Sequence, residues 1–127
     1  MQFMLIVNAS KHSEAGSRPS PELIEAMSEF NEKLRDAGVQ MMAKGLHPSS
    51  NGMRLSYEKP GEEPVVSTGP FTDSISGFIL IDVNSREEAV EWAKRMPDLI
   101  GYGEGQVELR QIYEGEVQTE IPETSYD

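Results

Sequence analysis

Residues 77–83 read Gly77-Phe78-Ile79-Leu80-Ile81-Asp82-Val83, apolar on both alternating sets except at Asp82. Successive side chains of a strand point to opposite faces, so such a run is a central strand with both faces covered. Phe3, Leu5 and Val7 alternate with Met4 and Ile6 in the same way. Two strands of this kind belong side by side in the middle of one sheet, with cover on each side.

The segments between them supply the rest. Asn8 to Arg18 is polar and reads as a loop. Ser20 is placed to cap a helix that has Pro21 in its first turn, with Leu23, Met27, Phe30 and Leu34 on one face and Gly38 past its end. Val39 to Gly45 reads as an edge strand, with Val39, Met41 and Ala43 on one face and Gln40, Met42 and Lys44 on the other. Met53 to Tyr57, a turn at Lys59-Pro60-Gly61 and Glu63 to Ser67 form a hairpin. Ser67-Thr68-Gly69-Pro70-Phe71 opens the loop before the 77–83 strand. Ser85 caps a second helix, which buries Ala89, Trp92, Ala93 and Met96 and stops at Pro97. Gln106 to Tyr113 is the last strand, with Val107 and Leu109 inward and Glu108 and Arg110 outward.

The order is β-α-β, a hairpin, then β-α-β. This predicts an α+β ferredoxin-like domain: an antiparallel sheet with two helices on one face and an inserted hairpin near residues 52–67. Residues 1–114 form the domain and 115–127 an acidic tail. The helices cover one sheet face only. The other is expected to show Met4 and Ile6 with Ile79, Ile81 and Val83, or the complementary sets. Side chains worth roughly 1.5–3 kcal/mol each when buried need a cover. A second copy of the same sheet is the simplest one; the hairpin folding over is the alternative.

The formal net charge is −11. Residues 1–60 hold seven charges of each sign, whereas residues 61–127 hold fifteen acids against four bases. That field repels phosphate backbones, which argues against nucleic-acid partners. No run approaches the roughly 18 apolar residues of a membrane helix. Cysteine is absent, which removes disulfides and thiolate metal sites and fits a cytoplasmic protein.

Several stretches resemble the YCII-related family, in its DGPF-domain branch. They are Ser13-Glu14-Ala15-Gly16, Gly45-Leu46-His47-Pro48-Ser49-Ser50, Gly69-Pro70-Phe71, Ile75-Ser76-Gly77-Phe78, Glu88-Ala89-Val90-Glu91-Trp92-Ala93-Lys94-Arg95 and Glu108-Leu109-Arg110-Gln111. The resemblance implies a dimeric α+β barrel, a homodimer with two sheets packed face to face. It does not imply a reaction, because related barrels include isomerases, oxygenases and ligand binders. Some relatives are associated with sigma factors, which motivates a regulatory role. The signature here reads Thr68-Gly69-Pro70-Phe71, with threonine in place of the family's acid. Lys44 also stands where an acid is expected, and the link from Phe71 to Ile75 is short. Asp73 is the available replacement carboxylate.

His47 is the leading candidate catalytic residue, an imidazole suited to proton transfer at a strand end, with Asp73 as its partner. Lys44, Thr68 and Thr72 are the candidate ligand-binding residues. Metal binding is disfavoured, since His12 and His47 lack ligand spacing. The run Gly101-x-Gly103-x-Gly105 opens a strand and carries Glu104, so it is not a nucleotide loop and no cofactor is expected. Two functions follow: a small-molecule-binding domain with a regulatory role, or a cofactor-free acid–base isomerase or lyase built on His47 and a nearby acid.

Overall fold

The computed structural model describes residues 1–16, 19–98, 103 and 105–115. Its elements run β1 (Gln2–Asn8), α1 (Lys11–Glu14), α2 (Pro21–Asp36), β2 (Gln40–Gly45), β3 (Met53–Ser56), β4 (Val65–Thr68), β5 (Ile75–Asp82), α3 (Arg86–Lys94) and β6 (Val107–Gln111), with a 3-10 turn at Ser49–Asn51. The acidic tail beyond Gly115 and most of the 101–105 glycine run lie outside the described residues.

The two doubly apolar strands take the centre of a four-stranded antiparallel sheet of order β2-β5-β1-β6. This is the ferredoxin-like arrangement. Ser20 caps α2 by accepting from the Leu23 N–H, with Pro21 in the first turn where its missing N–H costs nothing. Ser85 caps α3 by accepting from the Glu88 N–H. Both helices lie on one face, where Phe30, Leu34 and Ala89 join Phe3, Leu5, Ile79, Ile81 and Val83 in a single buried core. Phe30 meets Trp92 edge to face at 6.3 Å, tying α2 to α3.

Register decides which side chains the other face shows. The β1–β5 ladder pairs residues of like parity, Met4 with Leu80 and Ile6 with Phe78. The open face therefore presents Met4, Ile6, Phe78 and Leu80, while Ile79, Ile81 and Val83 are buried under the helices. The expected grouping of Met4 and Ile6 with Ile79, Ile81 and Val83 was wrong, because sequence alternation alone leaves the phase between two strands undefined.

A bulge corrects a second assignment. Gln40 pairs with Ile81, but Met42 pairs with Leu80, so Met41 is the extra residue. Met42 and Lys44 keep the open face. Gln40 is turned to the helix side, where its Nε2 donates to Asn31 Oδ1 of α2 at 2.8 Å. Met41, expected to share a face with Val39 and Ala43, is half exposed.

The hairpin β3–β4 is present, with every strand residue exposed. It does not fold over the open face. The polar segment Asn8–Arg18, read as a loop, contains the short helix α1, started by a reciprocal Ser10–Ser13 capping box. The usual sequence sign of such a box is a Glu or Gln in its third position, and here that position is serine. Among the described residues no helix is long and apolar enough to cross a membrane.

Candidate functional site

Three segments meet where β2 ends and β5 begins. The first is α1, whose capping box fixes the course of residues 10–14 and sets Glu14 at the helix end. The second is the run from His47 through the 3-10 turn. The third is the loop Gly69–Ser74. Leu46 N–H donates to Ser76 O at 2.8 Å and Ala9 N–H to Ser74 O at 3.0 Å, which fastens the first two segments to the start of β5.

Glu14 is the hub. Its carboxylate accepts from the Ser49 N–H at 2.8 Å, from the Ser49 hydroxyl, and from the Ser74 hydroxyl at 3.1 Å. Ser49 Oγ in turn accepts from the Phe71 N–H at 2.8 Å. Donors aimed at an ionised carboxylate favour its charged form. The Ser49 hydroxyl first and the Ser49 amide second hold the Glu14 carboxyl below its ordinary value; burial opposes them by less, and the Ser74 hydroxyl adds the smallest lowering.

The Gly69-Pro70-Phe71 motif completes this knot by close approach. A Cβ on Gly69 would lie 1.8 Å from Ser49 O, so no side chain fits there. The Gly69–Pro70 peptide is cis, and the Gly69 N–H donates to Gly52 O at 3.2 Å. Phe71 offers its ring to Arg54, whose guanidinium lies 4.2 Å from the ring centroid.

The knot brings together the segments that carry the predicted residues. His47 is two residues before Ser49, and Thr72 and Asp73 follow Phe71. The side chains of His47, Thr68, Thr72, Asp73 and Lys44 are all on exposed residues. Asp73 takes a left-handed backbone, φ 57°, which short acidic residues tolerate better than most. Thr68 is opposite Met53 in the hairpin. Lys44 is opposite Phe78, so its ammonium belongs to the open sheet face. Among the described residues no hydrogen bond or ion pair joins His47 to Asp73.

Beside the knot, a cleft of about 260 Å³ lies between α2 and the end of the β2–β5 ladder. Gly45 and Gly77, paired across the ladder, form its floor; Met27 and Asn31 of α2 and Ala43 and Ile79 of the sheet form its walls. Gly77 is required by the backbone, since its Cβ would lie 2.8 Å from Lys44 O. A Cβ on Gly45 would meet nothing closer than 4.0 Å. The lining is mainly apolar. Asn31 is its distinctive polar group: Oδ1 is taken by Gln40, which leaves the Nδ2 donor for another acceptor.

Glu14, Ser49, Ser74 and Asn31 were not singled out by sequence reasoning. Glu14 and Ser49 do lie inside two of the family-like stretches, Ser13–Gly16 and Gly45–Ser50. Reading those stretches as mutual contacts, rather than as separate motifs, was the available signal.

The chain belongs to the YCII-related domain family: the family's model matches residues 1–115. A comparison with curated proteins finds no match.

Proposed function

We infer that this chain is a small-molecule-binding domain of the DGPF branch, with a regulatory role, that works in the cytoplasm as a homodimer joined through its open sheet faces. The observation that carries the binding reading is the cleft. It has a side-chain-free floor, mainly apolar walls and the Asn31 Nδ2 donor, which suits a small, mostly apolar molecule with a hydrogen-bond acceptor. The knot supports the same reading by holding rigid the loops around its mouth. Lys44, Thr68 and Thr72 are proposed as outer contacts of the ligand.

Gly45→Val provides the test, because valine suits a strand and would fill the cleft without a backbone clash. A thermal-shift screen of a metabolite panel should give compounds that raise the Tm of the wild type and not of Gly45→Val. Equal shifts in both proteins, or none in either, would refute the cleft as the site. The dimer is tested by light scattering. The wild type should be dimeric at micromolar concentration and Leu80→Glu monomeric, and a monomeric wild type would end that reading.

The second reading is a cofactor-free acid–base enzyme in which His47 and Asp73 move the proton. Its support is the Ser49–Phe71 hydrogen bond, which ties the His47 segment to the loop that holds Asp73. In that case His47→Ala abolishes turnover with the Tm within a few degrees of wild type, and unchanged turnover would exclude it.

A further inference from the structure

The cleft continues past Asn31. A second hollow, of about 370 Å³, runs along α2 and is lined by Pro19, Ile24, Met27, Ser28, Asn31 and Arg35. Met27 and Asn31 line both hollows, so the two meet along one edge of the helix. Residues four apart on a helix are neighbours on its surface. Met27, Asn31 and Arg35 therefore form one row, which passes from an apolar side chain through an amide to a cation.

The polar members of this row have capacity to spare. Gln40 holds Asn31 Oδ1, which leaves the Nδ2 donor. The Arg35 guanidinium makes no hydrogen bond, ion pair or ring contact among the described residues. Glu32 and Asp36, the acids nearest to it along α2, do not pair with it and line neither hollow. The charged residues that do line the two hollows are Arg35 and Lys44, and the Lys44 ammonium belongs to the open sheet face. A basic residue in the last turn of a helix also suits its C-terminal carbonyls, but Lys33 shares that turn and lines neither hollow.

On the other side of Asn31 lies the mainly apolar cleft of about 260 Å³. Benzene occupies an apolar cavity of about 150 Å³, so this volume suits a body of roughly ten non-hydrogen atoms. A neutral ligand would use the cleft and the Asn31 donor and leave Arg35 idle. A carboxylate uses both donors, since its oxygens accept from an amide N–H and a guanidinium together.

We propose that the ligand is a small carboxylic acid whose apolar body lies in the cleft and whose carboxylate is shared by Asn31 Nδ2 and the Arg35 guanidinium. The proposal rests on the cleft being the binding site and adds the charge class of what binds there.

The test titrates octanoate, benzoate and 2-naphthoate, and the neutral amide of each, into the wild type, Arg35→Gln and Gly45→Val by calorimetry near neutral pH, where the acids are ionised. Arg35 is exposed, so its substitution leaves the fold intact, which circular dichroism verifies. At least one acid should bind the wild type ten or more times tighter than its amide. Arg35→Gln should bring that acid down to the level of the amide and leave the amide unchanged, and Gly45→Val should remove both. An acid and amide of equal affinity, both lost in Gly45→Val, overturn the carboxylate and leave the cleft standing. An acid bound equally well by wild type and Arg35→Gln also overturns the proposal. An acid lost in Arg35→Gln but untouched by Gly45→Val is paired at the helix surface alone, which overturns the proposal and the cleft with it. No binding of any acid at millimolar concentration overturns the carboxylate, while neutral compounds that bind the wild type and not Gly45→Val keep the cleft.

Discussion

The knot and the hairpin it launches occupy adjoining stretches of chain and are held by opposite means. In the knot a carboxylate, two hydroxyls and two amides satisfy one another, so a few polar side chains lock three loops with no partner. The hairpin has every strand residue exposed and reaches the body through Arg54 over the Phe71 ring. Polar groups that pair within one chain complete a structure locally. An exposed two-stranded ribbon has no such local completion and is marginally stable by itself.

Breaking the knot should cost the most. Gly69→Ala puts a methyl group where Ser49 O stands, and backbone on both sides has no easy way to yield. A loss of about 3 kcal/mol is expected in urea unfolding, at the upper end of what overpacking costs. Wild-type stability in this variant would mean that the loops are not locked.

Ser49→Ala is milder. It removes two of the donors and acceptors at once: the hydroxyl on Glu14 and the acceptor for the Phe71 N–H. About 1–2 kcal/mol should be lost, measured the same way. If the loss falls below the error of the fit, water replaces the hydroxyl and the knot is ornamental.

A smaller effect is read from pH. Glu14 has its pKa lowered on folding from the ordinary 4.5, so its hydrogen bonds stabilise the fold above that value. The stabilisation is lost as pH falls below 4.5 and through the folded pKa. Glu14→Gln should therefore narrow its stability gap to wild type on acidification from pH 6 to about pH 3. A gap that is constant over that range would show that the carboxylate's charge plays no part.

The smallest change is expected in the hairpin. Leu55→Ser in a Leu80→Glu background, kept monomeric, should alter unfolding by less than about 0.5 kcal/mol, as for other exposed sites. A larger loss would place Leu55 in a contact within its own chain and erase the contrast with the knot.

Much of the fold was legible because its signals are periodic or adjacent. The alternation in 3–7 and 77–83, the Ser20 and Ser85 caps and the helical spacing of Phe30 and Leu34 all repeat within a few residues. The candidate site was legible only as segments. The His47 segment and the loop that holds Asp73 are linked through the Phe71 N–H and the Ser49 hydroxyl. The group at the centre, Glu14, was missed, because a lone glutamate in a polar loop carries no periodic mark.

From sequence alone came the two central strands, the two covering helices, the hairpin, and a second apolar sheet face. Each follows from side-chain polarity against a known backbone repeat. Tertiary structure decided the rest. The Glu14–Ser49, Ser49–Phe71 and Ser74–Glu14 hydrogen bonds span 35, 22 and 60 residues, and nothing in local propensity selects such partners. The bulge at Met41 turns Gln40 toward Asn31, and the Arg54–Phe71 contact links the hairpin to the loop before β5. A hydrogen bond or a ring contact depends on a distance of a few ångströms, and only the packed chain sets distances.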